Sequence, residues 1–276
     1  MLSLEKIEAT GDSEMLSLAK ETKLSLEKHN LSTTVSKVAL CLDVSYSMSS
    51  LYTSGKISAL VKKLIPLGVS FDDDGEIDVF AFGENGHEME SINLDNYQSR
   101  LDSLVDIRLE GRTNYEKAIS LVEKHYKGEP DVHDVPVYVI FITDGDASDE
   151  RLATTAIKQI SKYPIFFQFI ALGAEYEPNN EAKVSPEPVE KKGFFGRLFG
   201  GSEDESQTKS PKISQAQRLF PFLLKLDDMP GRTVDNAGFF AVSKPDSKTV
   251  PELYDLMMGE YPQFLVDSKK AKTLKR

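Results

Sequence analysis

Asp43-Val44-Ser45-Tyr46-Ser47 sets one carboxylate and two hydroxyls at alternate positions, directly after the apolar run Val38-Ala39-Leu40-Cys41-Leu42. The apolar run reads as a buried strand that delivers Asp43 to the carboxyl edge of a sheet. A turn there brings Ser45 and Ser47 toward the same point. Oxygen donors of this kind suit a hard cation such as Mg2+, which takes octahedral oxygen coordination. In open α/β sheets the ligand crevice lies outside the carboxyl ends of the strands, so chemistry and position agree. The alternative is a set of loop caps, because Ser and Asp are ordinary turn residues.

Two later segments extend the pattern. Gly111-Arg112-Thr113-Asn114 precedes a helical periodicity, and the run from Pro136 to Thr143 is a second buried strand that ends in Asp144-Gly145-Asp146. Three loops then offer oxygen ligands. A chance Asp-x-Ser-x-Ser arises about 0.1 times in a chain of this length at average residue usage. The order of motifs resembles the metal-ion-dependent adhesion site of von Willebrand factor A (vWA) domains. That resemblance implies that Ser45, Ser47 and Thr113 coordinate a metal directly, with Asp43 and Asp144 binding directly or through water. The commonest form of the first motif has Gly where this chain has Tyr46, a position that carries no ligand.

The resemblance narrows further along the chain. Phe71-Asp72-Asp73-Asp74-Gly75-Glu76-Ile77-Asp78-Val79-Phe80-Ala81-Phe82-Gly83, then Phe222-Leu223-Leu224-Lys225-Leu226-Asp227-Asp228, then Gly231-Arg232-Thr233-Val234-Asp235-Asn236-Ala237-Gly238-Phe239-Phe240-Ala241-Val242 are similar to the vWA branch of bacterial tellurium-resistance proteins, distantly related to copine A domains. Leu253-Tyr254 and Glu260-Tyr261-Pro262 fit the same pattern. What the resemblance implies is a Rossmann-like α/β fold, doubly wound around a mostly parallel sheet with helices on both faces. It also implies a Mg2+ site, with Mn2+ or Ca2+ as substitutes, and a protein partner that supplies an acidic residue to the metal, other tellurium-resistance proteins among the candidates.

Composition bounds the function. The 276 residues with 40% hydrophobic content support one large domain with extensions. A net charge of −11 argues against a general nucleic-acid or anionic-membrane binder. The single Cys41 lies in an apolar strand, which excludes an internal disulfide and favours a reduced compartment. No apolar run reaches the about 18 residues needed to span a bilayer, and the first residues carry acids, so a cytoplasmic protein is expected.

From Lys37 onward strand and helix patterns alternate, the mark of a parallel sheet covered on both faces. Strands are expected near 38–42, 77–82, 136–143, 165–172 and 238–242, with a weaker edge strand at 88–92. Helices are expected near 56–67, 94–104, 115–126, 150–161, 217–225 and 250–258. The vWA domain is assigned to 35–174 and 215–265. The N-terminal extension, 1–34, repeats Leu-Ser-Leu at Leu2, Leu16 and Leu24. It reads either as short strands or as a helix capped by Ser13, and either as a docking element or as an arm packed on its own domain. The stretch 175–214 is polar and Pro/Gly-rich, which marks an insertion. Within it, Lys191-Lys192-Gly193-Phe194-Phe195-Gly196-Arg197-Leu198-Phe199-Gly200 reads either as a motif for docking on a protein or a membrane surface or as a segment folded back on its own domain. Residues 266–276 read as a basic tail.

Two function classes compete. Asp43 beside Mg2+ could accept a phosphoryl group, giving a phosphoryl-transfer enzyme. Haloacid-dehalogenase-like phosphatases use Asp-x-Asp for this, and here the second position is Ser45, which removes the acid for the leaving group. No Gly-x-x-x-x-Gly-Lys-Ser/Thr cradle is present either. The four histidines are scattered without zinc-ligand spacing, and Asp72-Asp73-Asp74 lacks the other ligands of a Ca2+ hand. The expectation is therefore a cytoplasmic, non-enzymatic, metal-dependent adaptor in toxic-cation or general stress response, with a membrane scaffold docking through 191–200 as a further alternative.

Overall fold

The computed structural model describes residues 4, 7–8, 11–71, 75–174 and 218–275. The Asp72-Asp73-Asp74 turn and the expected docking motif at 191–200 lie outside the described residues. Six strands, β1 (Lys37–Asp43), β2 (Ile77–Phe82), β3 (Gly86–Ile92), β4 (Val137–Thr143), β5 (Ile165–Leu172) and β6 (Ala237–Val242), form one sheet in the order β3-β2-β1-β4-β5-β6. Every neighbouring pair is parallel except β2–β3, an antiparallel edge. The chain builds outward from β1 to β3, then returns to the other side of β1 with β4. That reversal opens a crevice at the carboxyl ends of β1 and β4.

The helices are α1 (Ser13–Lys28), α2 (Ser49–Thr53), α3 (Lys56–Phe71), α4 (Tyr97–Val105), α5 (Tyr115–Lys127), α6 (Glu150–Ile160), α7 (Pro221–Asp227), α8 (Val250–Met257) and α9 (Tyr261–Lys270). Successive strand residues face opposite sides of the sheet, and the core divides accordingly. Val38, Leu40 and Leu42 of β1 with Tyr138, Ile140 and Ile142 of β4 pack under α1, α3, α4, α8 and α9. Ala39 and Cys41 with Val137, Val139 and Phe141 pack under α5, α6 and α7. Both faces of β4 and β5 are therefore buried, which is why these strands carry no polar alternation.

Local chemistry explains where boundaries depart from the sequence pattern. The helix expected at 56–67 continues to Phe71, and Gly68 is a point of close approach: a Cβ there would meet Ile77 Cγ1 at 2.5 Å. The helix expected from 94 starts at Tyr97, because Asn93 Oδ1 accepts the N–H groups of Asp95 and Asn96 and holds a turn first. The short helix α2 and the ten-residue α9 have no counterpart among the expected elements. Residues 266–270, expected as the start of a tail, belong to α9 instead, and beyond it Thr273 and Leu274 are buried. Lys275 donates its backbone N–H to the His133 carbonyl, so the segment stays on the domain as far as 275.

The N-terminal extension resolves into α1, with Asp12 rather than Ser13 as its cap: Asp12 Oδ1 accepts the Met15 N–H at 2.9 Å. It packs on its own domain. Met15, Ala19 and Leu26 join the core, Lys28 and His29 both reach the Asp255 carboxylate of α8, and Lys62 of α3 pairs with Glu14. Asp12 also accepts a hydrogen bond from the Tyr97 hydroxyl. Leu26→Ala should therefore cost about 2–5 kcal/mol of folding stability in urea unfolding. A change within about 0.5 kcal/mol, typical of a surface position, would show that α1 is only laid against the domain.

Candidate metal centre

The last residue of β1 and the last residues of β4 meet in the crevice. Asp43 is fully buried, so each of its carboxylate oxygens needs a donor. Oδ1 accepts the Ser45 N–H at 2.8 Å, and Oδ2 accepts the Thr143 hydroxyl at 2.6 Å. The Tyr52 hydroxyl of α2 donates to the Asp43 backbone carbonyl at 2.8 Å, pinning the strand end from the other side. Burial is the main influence on the Asp43 carboxyl and pushes it up to about 6, against the opposing pull of the Thr143 and Ser45 hydrogen bonds.

From Asp43 the site climbs toward solvent. Ser45 is buried, whereas Ser47 is exposed in a short 3-10 turn, Tyr46–Met48. The two hydroxyls lie 2.9 Å apart, and Ser47 Oγ donates to Asp144 Oδ1 at 2.7 Å. Ser47 spends its one hydroxyl proton on Asp144, so Ser45 is the donor to Ser47. Asp144 is half-buried, and burial also raises its carboxyl above the usual range. Ser47 and Asp144 form one wall of a cleft of about 330 Å3 whose other lining includes Leu51, Leu172, Leu219 and Phe220.

Four of the five residues expected to hold a metal are thus joined directly: Asp43 to Ser45, Ser45 to Ser47, and Ser47 to Asp144. Thr113 arrives by a different route. Its loop is docked on the loop after β4, with Thr113 N–H donating to Ser148 Oγ at 3.1 Å and Ser148 N–H donating to the Thr113 carbonyl at 2.8 Å. No hydrogen bond among the described residues links Thr113 to the other four.

The donors fit a hard cation. They are two carboxylates and neutral hydroxyls, with no imidazole or thiolate, a set suited to Mg2+, Mn2+ or Ca2+ rather than zinc. Both acids are held above the ordinary range by burial, the condition that a nearby positive charge reverses. Among the described residues no group of three or more His, Cys, Asp or Glu side chains converges, so a cation here would have to draw on hydroxyl oxygens.

Residues 35–178 and 212–274 match the vWA-TerF-like family, described as the vWA found in the TerF C terminus. The chain belongs to that family. Such vWA domains commonly mediate metal-dependent protein interactions. An uncharacterized protein of Bacillus subtilis (strain 168), YcbR, is 25% identical over 256 residues, 91% of this chain and 86% of that protein. Among solved structures, the SpRpn10 VWA domain aligns with 80% of this chain and 94% of its own, at 10% identity and a TM-score of 0.47. The manganese-loaded TRAP protein of Plasmodium vivax aligns with 50% of this chain and 57% of its own, at 18% identity and a TM-score of 0.43.

Several residues of the vWA site escaped the sequence reading. Thr143 and Tyr52 hold Asp43 but look like an ordinary strand residue and an ordinary aromatic. The strand register was the available signal for Thr143, since Leu42 pairs with Ile142 and the next residues are Asp43 and Thr143. Asp227, Asp235 and Glu260 gather away from Asp43 and Asp144, around Arg232. Burial pushes Asp227 up to about 8, helped by the charges of Glu260, Asp228 and Asp235, and pushes Glu260 up to about 7.

Carboxyls raised in the folded state bind more protons than in the unfolded chain between about pH 4 and pH 8, so they favour folding at the acidic end of that window. Their contribution is lost as pH rises through the folded values. Metal-free Asp227→Asn protein should accordingly melt higher than wild type at pH 8, with the gap closing toward pH 5. An equal gap at both pH values would mean that Asp227 does not titrate in this range.

Proposed function

We propose that this chain is a divalent-cation-dependent protein-binding module of the metal-ion-dependent adhesion type, acting as a cytoplasmic adaptor in toxic-cation or general stress response. Asp43, Ser45, Ser47, Thr113 and Asp144 would hold the cation, Mg2+ in the first instance. The observation that carries the reading is the unbroken chain Asp43–Ser45–Ser47–Asp144, running from a buried carboxylate to an exposed hydroxyl at the mouth of a cleft. When bound, Mg2+ would supply a Lewis-acidic position open to a partner's Asp or Glu carboxylate. The protein's own part is to keep both acids, among the described residues, unpaired with any Lys or Arg, to link the hydroxyls of Ser45 and Ser47 to Asp144, and to leave Ser47 and Asp144 accessible.

Binding is favoured over phosphoryl transfer by the state of Asp43. A nucleophilic carboxylate needs a free oxygen facing the substrate. Here the side chain is fully buried and its oxygens accept from Ser45 and Thr143, so it would serve a cation through water and does not face a substrate phosphoryl group. The net charge of −11 supports a protein partner rather than nucleic acid. Among the described residues no helix is long and apolar enough to cross a membrane.

Titration calorimetry with Mg2+ and Mn2+ tests the site. Saturable binding in wild type should disappear in Asp43→Asn and weaken at least about tenfold in Ser47→Ala, with both variants still folded by circular dichroism. Unchanged affinity in folded Asp43→Asn would sink the assignment, and turnover of phosphate esters that depends on Asp43 would move the protein to the enzyme class.

A further inference from the structure

The segment after β4 carries acids at Asp144, Asp146 and Asp149, and they serve three different elements. Asp144 belongs to the metal centre. Asp146 Oδ2 accepts the Phe222 N–H at the start of α7, 3.1 Å away. Asp149 occupies the N-cap position of α6 but makes no side-chain cap bond to it. Its two carboxylate oxygens instead accept the Tyr115 and Glu116 N–H groups, each at 3.0 Å, at the start of α5. Asn114, the residue placed to cap α5, makes no side-chain cap bond either and donates to the Glu84 carbonyl. The cap of α5 is therefore supplied from another loop, the one that carries Asp144.

This crossed cap adjoins the residue hardest to account for in the metal centre. Thr113 stands two positions before Tyr115, and the residue preceding it, Arg112, has φ of 59°, a left-handed conformation unfavourable for a side-chain-bearing residue. A loop in that conformation needs holding from outside. Five hydrogen bonds do so: the reciprocal Thr113–Ser148 pair, the two N–H groups on Asp149, and the Tyr115 hydroxyl on the Gly145 carbonyl at 2.6 Å. All of them end on residues 145–149.

We infer that Asp149, with Ser148, is the positioning residue of the metal centre: it clips the Thr113 loop to the Asp144 loop, so that cation affinity depends on a carboxylate that does not hold the cation. The inference rests on the reading of the centre given above. Because Asp149 acts through Thr113, its removal should matter only while the Thr113 hydroxyl is present. A plain helix cap would lower stability and leave affinity alone.

A double-mutant cycle separates these cases. Mg2+ affinity would be measured by calorimetry for wild type, Asp149→Ala, Thr113→Ala and the double variant, with thermal melts in chelator alongside. Asp149→Ala should weaken Mg2+ binding about tenfold or more, the usual scale for a group that orients metal ligands. In the Thr113→Ala background the same change should cost less than about twofold. Asp149→Asn, which keeps one acceptor oxygen, should fall between, and it serves as the reading if the alanine variant does not fold. Wild-type affinity in folded Asp149 variants, or an equal loss in both backgrounds, overturns the clip while leaving the metal centre in place. Absence of Mg2+ binding in wild type removes both.

Discussion

One buried carboxylate organises this molecule. Asp43 ends a central strand with no exposure to solvent and, among the described residues, no cationic partner to neutralise it, a placement that costs several kcal/mol unless its oxygens are met. The groups that meet them come from both flanks: a backbone N–H in its own turn and a hydroxyl from the adjacent strand. Pairing of β1 with β4 is thus a hydrophobic event along the strands and a polar one at their ends. The turn after Asp43 cannot relax without undoing the N–H bond, and that fixes where Ser45 and Ser47 face.

Around this anchor the site is graded. Asp43 and Ser45 lie below the surface, Asp144 is half-buried and Ser47 is exposed, so the rigid part of the donor set is inside and the accessible part outside. Such an arrangement suits preorganised binding, in which the ordering of side chains is settled at folding and not at association. The crossed cap at Asp149 extends the same logic to Thr113, a residue on a loop that has no strand to steady it.

The sheet was legible because five of its strands are apolar and in parallel order, with β3 a polar antiparallel edge, and each expected strand is present with its ends shifted by at most two residues. The metal-binding candidates were legible because Asp43, Ser45 and Ser47 follow one strand and Asp144 follows another. What sequence could not show depends on partners distant in the chain. Thr143 and Tyr52 acquire their roles only from the register of β1 and the fold of α2 over it. Asp149 is a different case: by position it would cap the helix it precedes, whereas its carboxylate accepts from the start of α5. The Leu-Ser-Leu echoes failed to declare α1 because both a strand and a helix can use them, and the decision falls to packing against α3 and α8.

The partners that complete the centre sit far apart along the chain: Asp43 and Thr143 are 100 residues from each other, and Ser47 and Asp144 are 97. Contacts of such separation carry the entropy cost of closing a long intervening loop, which other interactions must offset. The centre is therefore assembled only once β4 has docked beside β1. A nascent or partly unfolded chain would hold the individual donors without the site, so a cation held there would register completion of the central sheet and add its binding free energy to the folded form alone.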